Sequence, residues 1–313
     1  MLTVPWYSTQ TSSMGRYNDP MNLSAPGIDL HAHTTASDGS LSPTELVQKA
    51  ASIGLSALAV TDHDTLSGLA EAQSAAAEVG LELIPGVELS VEDDGGRFHL
   101  LGYLFDPGNG QLQETLVRIR AGRAARNEQM AQKMADLGLA VTMDDVRAEA
   151  GEDAEVIARP HFAQALIKKG IVTSVKEAFD RYLATGKPLY MPKEVLTPRD
   201  AIALIHGAGG VAVMAHPGLI PLSATALAQR IETLAREDGL DGLEAYYSQH
   251  SLADTQRFLA LALANQMLVT GGSDFHGTPK PHVPLGVVSQ GKPADPALLA
   301  DIRARISLRY KEN

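Results

Sequence analysis

The sequence predicts an α/β fold in which a distorted, barrel-like sheet of about seven strand–helix units is interrupted by a mostly helical insertion. Two observations predict this fold. From residue 27 onwards, short apolar runs alternate with amphipathic segments, and the same alternation resumes near residue 195. Such alternation is typical of repeated strand–helix units. Residues 108–194 lack this alternation and contain helix-like segments instead, which predicts the insertion.

The elements of the first barrel part, residues 28–107, follow from their apolar runs. Strands are predicted at "GIDLH", "LSALAVTDH", "LELIPGVELSV" and "RFHLLGYLFD", and helices from Ser42 onwards and over "SGLAEAQSAAAEVG". Before this part, residues 1–27 are rich in Ser, Thr, Asn, Pro and Gly and have no period. This composition predicts an N-terminal tail.

The insertion and the second barrel part continue the pattern. Helices are predicted over "QLQETLVRIRAGRAARNEQMAQKMADLG" and "RPHFAQALIKKG" in the insertion. In residues 195–313, strands are predicted at "VAVMAHP", "GLEAYY" and "MLVTGGSDFH", and helices lie between them. The renewed alternation of strands and helices predicts that residues 195–313 complete the barrel begun by residues 28–107.

Composition excludes several kinds of function. The 313 residues contain 26 Lys and Arg against 37 Asp and Glu, a formal charge of -11, which disfavours binding to a long polyanion. Because there is no cysteine, a metal ion could be held only by His, Asp or Glu. The sequence has no long apolar run and no signal-peptide pattern. We therefore expect a cytoplasmic protein with a small substrate.

Eight polar residues lie at or just past the ends of predicted strands. They are His31, His33, Asp62, His63, Glu88, His216, Asp274 and His276. In strand–helix barrels the carboxyl ends of the strands carry the chemistry. One such histidine alone is more often a core residue with a single hydrogen bond. Their recurrence at one rim favours a shared site.

Two pairs have a spacing that suits chelation. His31 and His33, like Asp274 and His276, are two residues apart, so that in extended backbone both side chains of a pair point to one face. Asp38 follows the first pair in a Ser-Asp-Gly sequence, where it could cap an Asx turn, act as a ligand, or do both.

Three further histidines extend the predicted site. His63 lies between Asp62 and Asp64; one of these carboxylates is expected to cap a helix, and His63 to be a ligand. His216 ends an apolar strand, where an unpartnered imidazole would be costly. The third, His99, is tied to Glu88 by a predicted hairpin.

Glu88 and His99 flank the turn of this hairpin. A loop of Asp93-Asp94 places them directly opposite each other, whereas a loop of Asp94-Gly95 places them diagonally on one face. A three-residue loop would separate them onto opposite faces.

The motifs together resemble the PHP (polymerase and histidinol phosphatase) family of metal-dependent phosphoesterases. They are "HAHTTASDG", "TDHD", "GVE", "FHLLGY", "AHP" and "GSDFH", in the family's order. The resemblance implies a distorted barrel holding three divalent ions. It assigns His31, His33, Glu88 and Asp274 to the first ion, Asp38, His63 and His276 to the second, and His99 and His216, with Glu88 as a bridge, to the third.

The ligand set also bears on the chemistry. Imidazoles and carboxylates suit manganese, zinc or iron, and the resemblance favours manganese. Clustered ions activate a bridging water, whose hydroxide would attack phosphorus, and neutralise the phosphoryl oxygens. Asp62, Asp64 and His250 are the candidates for protonating the leaving oxygen.

The insertion, with "ARPHFA" and "GKPLY", resembles a subgroup that comprises 3′,5′-nucleoside bisphosphate phosphatases and 5′-to-3′ exoribonucleases acting on short RNA. Candidate phosphate-binding residues are Arg159, Lys187, Ser248 and His250. Aromatic residues near Tyr246, Tyr247 and Phe275 would favour a nucleotide by stacking on its base. A histidinol-phosphate-like phosphatase and a non-catalytic scaffold remain as alternatives.

The insertion also contains a row of arginines. They are Arg118, Arg120, Arg123 and Arg126, all within one predicted helix. A path for RNA and the solvated face of a helix are the two interpretations, and the solvated face is preferred.

Overall fold

The computed structural model describes residues 26–151, 156–192 and 195–312. Its strands are β1 (Ile28–Ala32), β2 (Ala57–Val60), β3 (Glu82–Asp93), β4 (Gly96–Tyr103), β5 (Val211–Met214), β6 (Gly242–Tyr247) and β7 (Leu268–Gly272). They form one sheet in chain order. Strands β1 to β3 are parallel, as are β5 to β7, whereas β4 is antiparallel to both of its neighbours.

The sheet curls until its first and last strands meet. The His33 N–H donates to the Phe275 carbonyl at 2.9 Å, and the Asp274 N–H donates to the His31 carbonyl at 2.8 Å. The result is a nearly closed barrel of seven strands, which confirms the predicted fold class. The antiparallel strand β4 is the element that distorts the strand–helix repeat.

Helices cover the barrel and continue between its two parts. They are α1 (Pro43–Ser52), α2 (Leu69–Val79), α3 (Gly110–Asp136), α4 (Met143–Ala150), α5 (Arg159–Lys168), α6 (Val175–Ala178), α7 (Pro198–Gly207), α8 (Ala224–Thr233), α9 (Leu252–Ala264) and α10 (Ala297–Glu312). None of the helices in the described ranges is long and apolar enough to cross a membrane. Ser42 begins α1 with a capping box to Glu45.

The described part of the chain has two separate hydrophobic clusters. The larger fills and surrounds the barrel, and the smaller lies between α3, α4, α5 and the turn Phe179–Leu183, around Met130, Phe162 and Leu166. A segment with its own apolar core is what a helical insertion requires. The limits 108–194 stay a prediction. Residues 1–25 of the predicted tail lie outside the described residues.

Candidate metal centre

Glu88 lies at the centre of the predicted ligands. Its side chain is 1% exposed, and its two oxygens contact five histidines. The distances are 3.4 Å to His31 Nε2, 3.2 Å to His33 Nε2 and 3.0 Å to His63 Nδ1 from Oε2, and 2.8 Å to His99 Nδ1 and 2.9 Å to His216 Nε2 from Oε1. One carboxylate thus connects histidines that lie in or near several different strands.

Two further carboxylates complete the cluster. Asp274 Oδ1 lies 3.3 Å from His33 Nε2 and 3.3 Å from His276 Nδ1. Asp38 contacts His276 Nε2 at 3.3 Å and His63 Nε2 at 3.8 Å. The structure therefore brings together all nine side chains predicted as ligands.

The arrangement fits a set of cations. Ligand atoms lie within 4.8 Å of one another in three overlapping groups: His33, Asp38, His63 and His276; His31, His33 and Glu88; and His63, Glu88 and His99. Within the described residues, His63 Nδ1, Glu88 Oε2 and His216 Nδ1 are buried without a hydrogen-bond partner. Buried polar atoms are normally satisfied, and bound cations would satisfy atoms of this kind. The donor set therefore fits divalent metal ions.

The hairpin explains how Glu88 and His99 meet. Asp93 pairs with Gly96, so that the loop is Asp94-Gly95 and Ser90 lies opposite His99. Glu88 is then diagonal to His99 on one face, which is the second of the two predicted registers.

Backbone geometry at the centre is unusual. Asp64, His216 and Asp274 have φ values of 54°, 29° and 58°, in the left-handed region that side chains with a Cβ rarely adopt. Such conformations persist only where the surroundings hold them, and they concentrate at functional sites. These three residues lie among or beside the predicted ligands, as expected if the cluster is a functional site.

Electrostatics keep the central carboxylates ionised. Burial raises the pKa of Glu88, Asp38 and Asp274, but the neighbouring histidines, together with Lys280 in the case of Asp274, outweigh it and hold each pKa well below its usual value. Burial lowers the pKa of His63 to about 3, whereas the surrounding carboxylates outweigh burial and raise the pKa of His31 and that of His33, the latter to about 9. Cations bind ionised carboxylates and neutral imidazoles, so metal binding would release protons from His31 and His33.

Three residues contact the predicted ligands in a way that sequence reasoning did not foresee. Tyr247 donates its hydroxyl to Asp274 Oδ2 at 2.8 Å, and Lys280 Nζ lies 2.6 Å from the same oxygen. Glu244 contacts His31 Nδ1 at 2.9 Å. A glutamate inside the apolar run "GLEAYY" was the available signal for Glu244.

The three predicted proton donors are engaged elsewhere. Asp62 accepts from the Thr34 N–H, the Thr34 hydroxyl and the Ser37 hydroxyl, and Asp64 forms a buried ion pair with Arg123. Both ring nitrogens of His250 face backbone groups, and burial lowers its pKa. The structure does not direct any of these three groups at the centre, and their role stays a prediction.

A cavity of about 320 Å³ adjoins the centre. Its lining includes Asp38, His63, His99 and His216 of the metal centre, and also Arg97, Arg123, Arg126 and Arg159, which we call the arginine wall. Arg123 and Arg126 are each 6% exposed, so the interpretation of this helix face as solvated is wrong for both. Arg123 pairs with Asp64, which follows β2, so that this face of α3 lies against the barrel.

The arginines crowd one another. Burial and the charges of Arg123, Arg159 and Arg97 lower the pKa of Arg126 to about 9. Arg159 lies over the rings of Phe179 and Tyr190, at 5.7 Å and 6.0 Å from their centroids. Like charges held together beside a cavity favour an anionic ligand.

Other predicted substrate contacts lie elsewhere. Lys187 is exposed and does not line the cavity, and Ser248 donates its hydroxyl to the Ser273 carbonyl at 2.8 Å. The suggested stacking residues Tyr246, Tyr247 and Phe275 are 4%, 1% and 6% exposed. They therefore have no free face for a base. Apolar lining comes instead from Leu219, Ile220 and Phe179 among others.

Comparison with known proteins agrees with this geometry. Residues 29–185 match the family model of the PHP domain. The chain is 39% identical to a 3′,5′-nucleoside bisphosphate phosphatase of Chromobacterium violaceum, over 80% of this chain and 87% of the relative. It is 36% identical to the 5′-3′ exoribonuclease Rnm of Escherichia coli, over 82% and 87% of the two chains.

Similarity extends to solved structures. A candidate metal-dependent phosphoesterase from Bifidobacterium adolescentis superposes with a TM-score of 0.79 at 35% identity. The match covers 90% of this chain and 96% of that one. Fold and sequence thus point to the same group of proteins.

Proposed function

The chain belongs to the PHP family of metal-dependent phosphoesterases and is a phosphoric ester hydrolase, and we propose that its substrates are nucleotides with two phosphate groups. The proposed reactions are removal of the 3′-phosphate from 3′,5′-nucleoside bisphosphates and stepwise 5′-to-3′ removal of nucleotides from short 5′-phosphorylated RNA. One observation carries this proposal: residues of the buried cluster of cation ligands and a group of four arginines line the same cavity. We assign these reactions to the cytoplasm.

The proposed cofactors are three divalent ions, with manganese preferred over zinc and iron. His31, His33, Glu88 and Asp274 would hold the first, Asp38, His63 and His276 the second, and His99 and His216, bridged by Glu88, the third. When bound, such ions supply an activated water and neutralise charge on the phosphoryl group. The three overlapping ligand groups and the partnerless buried atoms among the described residues support this assignment.

The arginines would bind the phosphate that is not cleaved. Guanidinium groups match phosphate geometry through paired hydrogen bonds, and Arg126 Nε is buried without a hydrogen-bond partner among the described residues. A phosphate there would compensate the positive charge of Arg126 and Arg159, since Arg123 and Arg97 already pair with Asp64 and Glu92. The substrate would thus be held between cations at one end and arginines at the other.

The four arginines weigh against histidinol phosphate as the substrate. That molecule has a single phosphate and a cationic amine, so that its second end would face four arginines. Like charges placed together disfavour binding. A non-catalytic scaffold is disfavoured because all nine predicted ligands converge.

The test is a substrate comparison with manganese-loaded protein. It would include adenosine 3′,5′-bisphosphate, a 5′-phosphorylated trinucleotide, its 5′-hydroxyl counterpart and histidinol phosphate, with products identified by chromatography. We expect 3′-phosphate release from the bisphosphate and mononucleotide release only from the 5′-phosphorylated trinucleotide. Turnover of histidinol phosphate alone would contradict the proposal, and binding of metal without any turnover would support the scaffold.

A further inference from the structure

Glu244 is a buried carboxylate that the proposed reaction does not use. It lies in the middle of β6, in which all six residues are buried, and its own exposure is 0%. Oε1 lies 2.9 Å from His31 Nδ1, and Oε2 accepts the backbone N–H of His216 at 2.7 Å. One side chain therefore contacts two of the proposed ligand residues.

The neighbouring strand is shaped around this contact. At Gly272 of β7, a Cβ atom would lie 2.1 Å from His31 Cβ and 2.9 Å from Glu244 Oε1. Distances this short do not occur between real Cβ atoms and their neighbours. Gly272 thus provides the space in which His31 and Glu244 meet. A residue with a Cβ atom at this position would not be compatible with their contact.

We propose that Glu244 is a positioning residue that orients His31 and His216 for metal binding. As a hydrogen-bond acceptor, Glu244 would keep a proton on His31 Nδ1, so that Nε2, which faces Glu88 Oε2 at 3.4 Å and Asp274 Oδ1 at 3.6 Å, is the nitrogen left for the cation. Carboxylates that bind the far nitrogen of a ligand histidine fix its tautomer in this way. This inference rests on the metal centre of the proposed function.

The second contact of Glu244, the hydrogen bond from the His216 N–H, acts on the main chain. His216 has φ 29°, a conformation that requires support from its surroundings. The hydrogen bond from its N–H to Glu244 Oε2 supplies such support. In the proposed assignment His31 and His216 belong to different ions, so Glu244 would affect more than one of them.

Replacement by glutamine tests the tautomer argument at almost constant volume. A carboxylate accepts two hydrogen bonds from opposite sides, whereas an amide has one accepting oxygen and a donating NH₂. If the amide in Glu244→Gln keeps the bond from the His216 N–H, its NH₂ faces His31 Nδ1 and favours the tautomer protonated on Nε2. That tautomer cannot bind a metal through Nε2.

The same strand region offers a matched control. Asp241, which immediately precedes β6, is 2% exposed and lies 2.7 Å from His206 Nε2. It also accepts the backbone N–H of Ala212 at 2.9 Å. Like Glu244, Asp241 contacts a histidine ring and a backbone N–H, but it lies before the start of β6 and also forms an ion pair with Arg309. Asp241→Asn therefore makes the same carboxylate-to-amide change away from the centre, and the lost ion pair adds to its expected loss of stability.

The experiment titrates manganese into metal-stripped wild-type, Glu244→Gln and Asp241→Asn proteins and follows thermal unfolding without metal. We expect Glu244→Gln to bind manganese about ten- to a hundredfold more weakly than wild type. Asp241→Asn should bind it with wild-type affinity while losing thermal stability. Equal affinity of Glu244→Gln and wild type, or equal losses in both variants, would overturn the positioning role.

A wild-type measurement covers the case in which Glu244→Gln does not fold. In zinc-loaded wild-type protein, ¹⁵N NMR of the histidine side chains should show His31 protonated on Nδ1, with the signal assigned from His31→Gln. A His31 protonated on Nε2 would refute the inference about Glu244. Failure of the wild-type protein to bind any divalent ion would instead refute the proposed metal centre.

Discussion

The two walls of the cavity are built in opposite ways. The metal centre takes its ligands from loops and strands of one barrel, and a single carboxylate, Glu88, contacts five of the histidines. The arginine wall is assembled from distant pieces: Arg97 from β4, Arg123 and Arg126 from α3, and Arg159 from the first residue of α5. The metal centre is therefore built from the same strands as the barrel core, whereas the arginine wall also depends on how the helices pack against the barrel.

The walls also differ in charge. In the metal centre, histidines hold three buried carboxylates ionised, whereas the other wall gathers four cations. The first therefore suits cations and the second an anion. In the proposed function, the metal centre thus carries out the reaction, and the arginine wall, built by β4 and the helical segment, selects the substrate.

The largest expected effect comes from breaking the metal centre. Asp274→Asn keeps the size of the side chain but removes the charge that faces His33 and His276. We expect the rate of hydrolysis to fall by about a thousandfold or more, since loss of metal-based stabilisation amounts to several kcal/mol. Activity assays, metal analysis and thermal unfolding would be measured together. A variant that retains full activity and a normal fold would refute the ligand assignment.

A change in the arginine wall should act on affinity instead. For Arg126→Met we expect KM for a 3′,5′-bisphosphate to rise about ten- to a hundredfold, since a hydrogen bond to a charged group contributes about 1.5–3 kcal/mol. The kcat should change little. Arg118→Met is the matched control, because Arg118 is an exposed arginine of the same helix.

Two results would contradict this division of roles. One is a fall in kcat with KM unchanged, which would place Arg126 in the reaction itself. The other is an equal rise in KM for a 3′-monophosphate lacking the 5′-phosphate, which would mean that Arg126 does not recognise a second phosphate.

The metal centre was predictable because strand ends fix its geometry. The pairs His31 with His33 and Asp274 with His276 lie at the ends of apolar strands. The carboxyl ends of barrel strands all meet at one rim, so that these side chains are brought together. The arginine wall was not predictable from local pattern. Arg123 and Arg126 lie on the same helix as Arg118, which is exposed, and periodicity does not reveal what packs against a helix.

Glu244 and Lys280 illustrate a second limit. The partner of Glu244, His31, is known only once the barrel closes and brings β6 and β1 close together. Lys280 lies only six residues from its partner Asp274, but the loop between them has no periodic pattern that would show the contact. The role of the proton-donor candidates stays a prediction. Asp62 and Asp64 were chosen by adjacency to His63, but Asp62 accepts hydrogen bonds from Thr34 and Ser37, and Asp64 pairs with Arg123 of the distant helix α3, which adjacency does not reveal.

A smaller expected effect concerns the contribution of the charge of Arg126 to the free energy of unfolding. Burial and three neighbouring arginines lower the pKa of Arg126 to about 9, so the charged form is less favourable in the folded than in the unfolded protein. This cost is fully present below pH 9 and shrinks as the pH rises further.

Arg126→Met should therefore stabilise the protein at pH 7, by about 1 kcal/mol, while it weakens substrate binding. Urea unfolding at pH 7 and near pH 10 would measure this gain, which should be smaller at the higher pH. Arg118→Met should show almost no change, because exposed substitutions rarely affect stability. A less stable Arg126→Met protein would mean that Arg126 supports the fold.

The smallest expected effect tests whether the cavity holds a nucleobase. Leu219 is 51% exposed and lines the cavity on its barrel side, where a base could cover it. Removing part of an apolar contact of this size costs about 1 kcal/mol, so Leu219→Ala should raise KM for adenosine 3′,5′-bisphosphate about fivefold. Leu252→Ala is the control, because Leu252 is 58% exposed and lies outside the cavity lining. An unchanged KM in Leu219→Ala would place the base elsewhere and leave the arginines as the sole basis of substrate choice.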